Sequence, residues 1–210
     1  DYVDHFNNYY RPLAARNIAT DIISVDAPFD GYKLVIAPTL LMLNETRAAQ
    51  LKAFVENGGH LVLTVRSGMK DDYNALLPMR QPGMLAEISG VEVEDYYVLS
   101  EPVPVVGESL SGESLLWAER FKVKDEAGTK IIARYGKSNG WLDGQVAITS
   151  HPYGKGLVTY IGACLDEASQ QKLMDVIAKA ASVQPLMETP VGVEVRKRVN
   201  AQGDEVFIIM

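Results

Sequence analysis

The chain has 210 residues, 47% of them hydrophobic and 22% charged, with a formal net charge of −7 and a pI near 5.0. That length holds one sizeable core, or a core with an appended piece, and no apolar run approaches the ~20 residues that a membrane-spanning helix needs. An acidic balance argues against a phosphate-backbone partner, and a single cysteine excludes an internal disulfide and suits a reducing compartment.

Taken in order, residues 2–16 carry Val3, Phe6, Tyr10 and Leu13 along one helical stripe, which predicts a helix, kinked or restarted at Pro12 because proline has no N–H. Residues 20–25 are β-rich and read as a strand, closed by a turn over 27–31. Residues 33–38 and 60–65 are short aliphatic runs. Between them, Ala48, Leu51, Phe54 and Val55 repeat at helical spacing behind the N-cap residue Asn44. Strand, helix, strand is a crossover, which implies parallel strands, a right-handed connection and an α/β fold class. Asn57, Gly58 and Gly59 end that helix as a cap and turn, and no GxGxxG or GxxxxGK[ST] pattern supports a nucleotide site.

Residues 66–72 follow the second strand at the carboxyl edge of the sheet, where α/β proteins place ligands. No base or orienting group stands near Ser67 in sequence, so the stretch reads as a structural turn or interface loop. Residues 74–112 form a long excursion with a short helix at 84–88 and an apolar-acidic segment at 91–99. From 114 to 149 the period becomes strand-like, as expected of antiparallel ribbons added to the main sheet. A turn at 153–156 feeds a strand at 157–161, and a helix over 166–181 presents Leu173, Val176, Ile177 and Ala180 on one face. Past Pro185, residues 191–199 and 205–209 form a hairpin pattern around a turn at 201–203, and Arg196, Lys197 and Arg198 decorate its solvated face.

The sharpest chemical pattern is Gly162-Ala163-Cys164-Leu165-Asp166 at a strand-to-helix turn, since such an elbow exposes a thiol near a helix N-terminus. It resembles the nucleophile elbow of class I glutamine amidotransferases. Asp166 stands where that motif has glycine, however, and none of the three histidines, His5, His60 and His151, follows Cys164. Cys164 is therefore read as a buried structural cysteine. The histidines are isolated and no CxxC or HExxH spacing exists, so no metal or other cofactor is expected. The carboxylate pairs Asp71-Asp72 and Glu94-Asp95 are sequence neighbours, which does not place an acid and a base across a glycosidic bond.

A series of motifs resembles the trimerisation domain of glycoside hydrolase family 42 β-galactosidases. It comprises Tyr9-Tyr10-Arg11-Pro12-Leu13, Gly31-Tyr32-Lys33-Leu34-Val35-Ile36-Ala37-Pro38, Phe54-Val55-Glu56-Asn57-Gly58-Gly59 and Arg66-Ser67-Gly68. Pro82-Gly83-Met84-Leu85, Gly90-Val91-Glu92-Val93-Glu94, Tyr153-Gly154-Lys155-Gly156, Tyr160-Ile161-Gly162, Thr189-Pro190 and Gly192-Val193-Glu194-Val195 follow in order. The resemblance implies a flavodoxin-like, amidotransferase-like parallel sheet with helices on both faces over residues 1–185, and the start of a C-terminal all-β domain over 186–210. It also implies a cytoplasmic parent whose separate (β/α)₈ barrel holds the two catalytic glutamates and the galactoside, and a homotrimer formed through this domain. No catalytic residue is carried over to this chain. The family's domain opens with a strand before its first helix and this sequence opens at the helix, so a central strand is expected to be missing. Both chain ends read as cut, which leaves a leader in the parent open. The competing classes are a free-standing amidotransferase-like hydrolase using Cys164 and a sugar-binding or adaptor module.

Overall fold

The computed structural model describes residues 2–190 and 192–210. Helix α1 (Tyr2–Ala14) runs through Pro12 without restarting, because the missing N–H falls close to the C-terminal end and removes a single bond. Leu13 of the expected stripe is buried, but Tyr9 and Pro12 join it in place of Phe6 and Tyr10, which stack beside it at 6.1 Å. The strand expected at 20–25 does not form. A strand exists only as a member of a ladder, and this segment, with Ile22 exposed, has no paired neighbour among the described residues.

The crossover forms as its pattern predicts. Strands β1 (Leu34–Ala37) and β2 (His60–Thr64) pair in parallel, with Leu34 opposite His60 and Ala37 opposite Leu63, around helix α2 (Glu45–Glu56). Asn44 Oδ1 accepts the Arg47 N–H at 2.8 Å and caps α2. Every residue of β2 is buried, and alternate side chains enter different cores. Leu61 and Leu63 join Ala48, Leu51 and Val55 of α2, whereas Val62 joins the core under α1 and a later helix. Helices therefore cover both faces of this sheet.

The remaining elements, in chain order, are α3 (Ala86–Ser89), β3 (Val91–Val98), β4 (Val103–Gly107), β5 (Ser111–Val123), β6 (Lys130–Tyr135), β7 (Val146–Tyr153), β8 (Gly156–Ile161), β9 (Ala163–Leu165) and α4 (Glu167–Ala180). One nine-stranded mixed sheet results, ordered β1-β2-β8-β7-β6-β4-β5-β3, with β9 paired to β5. Only β1, β2 and β8 are mutually parallel, and the rest of the main path is antiparallel. The expected parallel sheet is thus three strands at one end of the order, and the ribbons supply most of the strands. The short helix at 84–88 appears as a 3₁₀ turn (Gly83–Leu85) leading into α3.

Strands β10 (Val195–Val199) and β11 (Glu205–Ile209) make a separate antiparallel pair, with Val195 opposite Ile209. The expected first strand began at Val191, which lies outside the described residues. Asn17 fixes the tail to the body. It sits at φ 56, a left-handed conformation asparagine tolerates, donates Nδ2 to Thr189 Oγ1 at 2.7 Å and accepts the Val195 N–H at 2.7 Å.

Candidate functional site

Chain leaving β2 at the carboxyl edge turns at Arg66, which has φ 66, and Gly68, which has φ 63. Ser67 is fully buried, and its hydroxyl donates to the Thr64 carbonyl at 2.7 Å. It closes the turn and is no nucleophile. A Cβ on Gly68 would stand 2.2 Å from the Pro82 carbonyl oxygen, so the start and end of the excursion 66–83 are packed backbone to backbone.

Beneath this turn lies a carboxylate that the sequence reading missed. Glu119, on β5, has no exposed surface. One oxygen accepts the Arg66 backbone N–H at 2.7 Å and the Trp117 indole N–H at 3.2 Å, and the other accepts the Tyr160 hydroxyl at 3.1 Å. Tyr135 completes the cluster: its hydroxyl donates to the Gly162 carbonyl at 2.7 Å and accepts the Glu119 backbone N–H at 3.1 Å. Burial pushes the Glu119 carboxyl up to about 7, with the three hydrogen bonds opposing that rise. The signal was present in the period, since Glu119 shares a strand face with Phe121 and alternation points it inward.

Cys164 stands nearby, and its geometry overturns the elbow. It lies inside the short strand β9, whose Ala163 pairs with Ala118, while α4 begins only after the cap Asp166. Asp166 accepts the Ser169 N–H at 3.0 Å and the Glu113 N–H at 2.7 Å, the work that a glycine at the motif's last position would not do. Cys164 is half-buried, short of the full burial expected of it; the partial burial, then the neighbouring Glu119 charge, holds its thiol up at about 11. His5, His60 and His151 bond Thr64, Thr159 and Thr129 respectively, so none serves as its base.

Above the buried carboxylate the surface is aromatic and cationic. The Arg66 guanidinium lies 5.3 Å from the Trp117 ring centroid, and Tyr96 stacks on Trp117 at 5.1 Å with planes 12° apart. Arg80 donates to the Glu94 carbonyl at 2.6 Å, and the Val93 N–H to the Gln81 carbonyl at 2.7 Å, joining the excursion to the β3–β5 ribbon. Asp71 accepts two turn N–H groups, and Asp72 pairs with Asn44 and Arg47, so this carboxylate pair is spent on holding the loop. Glu94 lies 3.4 Å from Arg120 and Asp95 Oδ2 accepts the Tyr97 hydroxyl at 3.1 Å. An open cleft of about 540 Å³ lies at the opposite, amino-terminal edge, between Phe29, Tyr32, Gln50 and Phe54. No cluster of three or more His, Cys, Asp or Glu suited to a metal ion occurs among the described residues. No helix among them is long and apolar enough to cross a membrane. The arrangement suits a rigid contact surface: the Glu119 carboxylate is held by three hydrogen bonds and the Trp117–Tyr96 stack lies above it, although Arg66 Nε and Gln81 Oε1 are buried without a hydrogen-bond partner.

Comparison with known proteins agrees. A family model described as the beta-galactosidase trimerisation domain matches residues 1–184. The chain is 33% identical over 211 residues to the beta-galactosidase LacZ of Heyndrickxia coagulans, covering 100% of this chain and 31% of that protein. It thus spans about a third of the curated relatives it matches. Among solved structures it superposes on the beta-galactosidase from Bacillus circulans sp. alkalophilus with a TM-score of 0.92 at 28% identity, covering all of this chain and 31% of that one. It also superposes on a catalytic mutant of a GH42 beta-galactosidase from G. stearothermophilus with a TM-score of 0.87 at 25% identity, covering 100% of this chain and 35% of that one.

Proposed function

Since the chain belongs to the beta-galactosidase trimerisation domain family, we propose that it is the non-catalytic oligomerisation part of a β-galactosidase that removes terminal, non-reducing β-linked galactose from galactosides. The observation that carries this is the match of one family model to residues 1–184, on a chain that spans 31% of its relatives. The catalytic domain lies elsewhere in the parent, and the galactoside binds there. Glu119 and Cys164 support a silent chain, because the one is sealed under a hydrogen-bonded turn and the other is held as a thiol.

In the same proposal residues 1–185 form a flavodoxin-like unit and residues 186–210 begin a β domain. The separate β10–β11 pair supports the division. β1 pairs only with β2 among the described residues, and the segment 20–25 pairs with nothing. One further parallel strand, contributed by the parent, would satisfy both. A cytoplasmic homotrimer completes the picture.

An o-nitrophenyl-galactoside assay on this chain and on the full-length protein tests the assignment. Turnover by the full-length protein alone is the expected result. Appreciable turnover by the chain itself would refute it.

A further inference from the structure

Helices α1 and α4 pack on the same core, where Tyr9 and Leu13 of the first meet Leu173, Met174 and Ile177 of the second. Arg16, just past α1, pairs with Asp175 and pins the two helices together. Nearer the start of α4 they leave a hollow of about 140 Å³ between them. Helical spacing builds its walls. On α1, Asn7 and Arg11 stand four residues apart with Asn8 beside them, and on α4 Glu167 and Gln171 stand four apart with Gln170 beside them. The α4 side is fixed from below, because Asp166 accepts the Ser169 N–H at 3.0 Å and Ser169 Oγ donates to the Ser111 carbonyl at 3.2 Å.

None of these six polar side chains makes a hydrogen bond or ion pair with another described residue. Gln170 stands apart from the other five: it is only 2% exposed, and its Nε2 is buried without a partner. Leaving a buried amide unpaired is unfavourable, and the χ3 torsion of glutamine is broad enough to turn it into the hollow it lines.

The lining selects among ligands. The hollow is smaller than the ~300–1,000 Å³ that drug-sized ligands occupy, which leaves room for one small ring and none for a peptide or a chain of sugars. Arg11 and Glu167 bring one charge of each sign, and the Asp166 carboxylate already caps the N-terminus of α4, so an anion gains little. The remaining four side chains are carboxamides. Each sets a donor beside an acceptor, which matches a hydroxyl, itself both donor and acceptor, and the forked guanidinium and carboxylate can each span two neighbouring hydroxyls.

We propose that the hollow between α1 and α4 binds a single sugar ring, with the Gln170 amide as its floor and Arg11 and Glu167 on its two walls. The site lies on this chain and is separate from the galactoside site of the parent's catalytic domain. Galactose, the ring that the parent would release, is the probe, and that choice rests on the function proposed above.

Hydrogen-exchange mass spectrometry on the full-length protein tests it, because the readout is local to the two helices and a ligand that joins them resists their local opening. Galactose should slow exchange in peptides covering residues 2–16 and 167–180. Gln170→Leu, which keeps the bulk and removes the amide, should abolish that slowing while hydrolysis of o-nitrophenyl galactoside continues unchanged. Arg11→Ala, at an exposed position, replaces it if Gln170→Leu does not fold, with the same loss expected. No slowing by galactose, slowing that survives the variant, or slowing by glycine in place of galactose overturns the sugar site. So does full protection of both peptides before any sugar is added, the result expected if another part of the parent fills the hollow. A full-length protein that shows the slowing and does not hydrolyse o-nitrophenyl galactoside overturns the galactosidase reading and upholds the site.

Discussion

The backbone N–H of Arg66 donates to the buried Glu119 carboxylate at 2.7 Å across 53 positions of sequence. This bond joins the loop that leaves the parallel end of the sheet to the longest strand of its antiparallel part. It also places a titratable group, sealed from water, directly under the aromatic surface formed by Arg66, Trp117 and Tyr96.

That burial makes stability depend on pH in a defined direction. The Glu119 carboxyl is pushed up to about 7 from 4.5, so between those values the folded chain holds a proton that the unfolded chain has released. Its contribution is fully present below about pH 4.5 and is lost as pH rises through about 7, by at most about 3 kcal/mol. Glu119→Gln, which does not titrate, should flatten this part of the profile. Thermal melts of both proteins from pH 4.5 to 8 measure the difference, and parallel curves would show that Glu119 is not the group responsible.

Cys164 should be slow to react. With its thiol at about 11 in place of 9.0, the thiolate at pH 8 is about a hundredfold scarcer than for an ordinary cysteine, and iodoacetamide should alkylate it correspondingly slowly until denaturant is added. Cys164→Ala should leave the galactosidase activity of the full-length protein unchanged. Fast labelling of the folded protein would contradict the raised thiol pKa.

Gly68 is held at φ 63 with the Pro82 carbonyl oxygen where a Cβ would go. Gly68→Ala therefore adds backbone strain to a contact that only moves if the excursion shifts, at a cost of about 2–4 kcal/mol. Urea unfolding should show a lower midpoint with an unchanged slope. A variant within about 0.5 kcal/mol of the wild type would mean that the loop yields freely.

Asp166 accepts N–H groups from two elements, Ser169 at the start of α4 and Glu113 on β5. Asp166→Ala should cost about 1–2 kcal/mol, and Asp166→Asn should recover most of it, since an amide oxygen still accepts. Equal losses in the two variants would assign the effect to charge at the helix N-terminus.

Local pattern carried far in this chain. The spacing of Ala48, Leu51 and Val55, the Asn44 cap and the aliphatic run of β2 lead directly to the crossover, because each is decided within a few residues of its own position. The strand expected at 20–25 failed for the opposite reason: β propensity describes a segment's fitness for a ladder, and the ladder must come from elsewhere. That Cys164 sits in a strand was not legible either, because β9 is defined by its partner β5, roughly fifty residues earlier, and not by its own residues.

By itself the sequence determined the α/β class, the parallel crossover, the helix capping and, through its ordered motifs, the family. These depend on periodicity and on residue types that act over one or two turns or a single hairpin. Tertiary structure alone decided that Glu119 is buried beneath Arg66, that Cys164 is a protonated strand residue, and that Tyr73, Leu76 and Val98 remain outside the core. Each of those outcomes depends on which distant segment comes to lie alongside, since solvent exclusion and hydrogen-bond partners are properties of the packed chain.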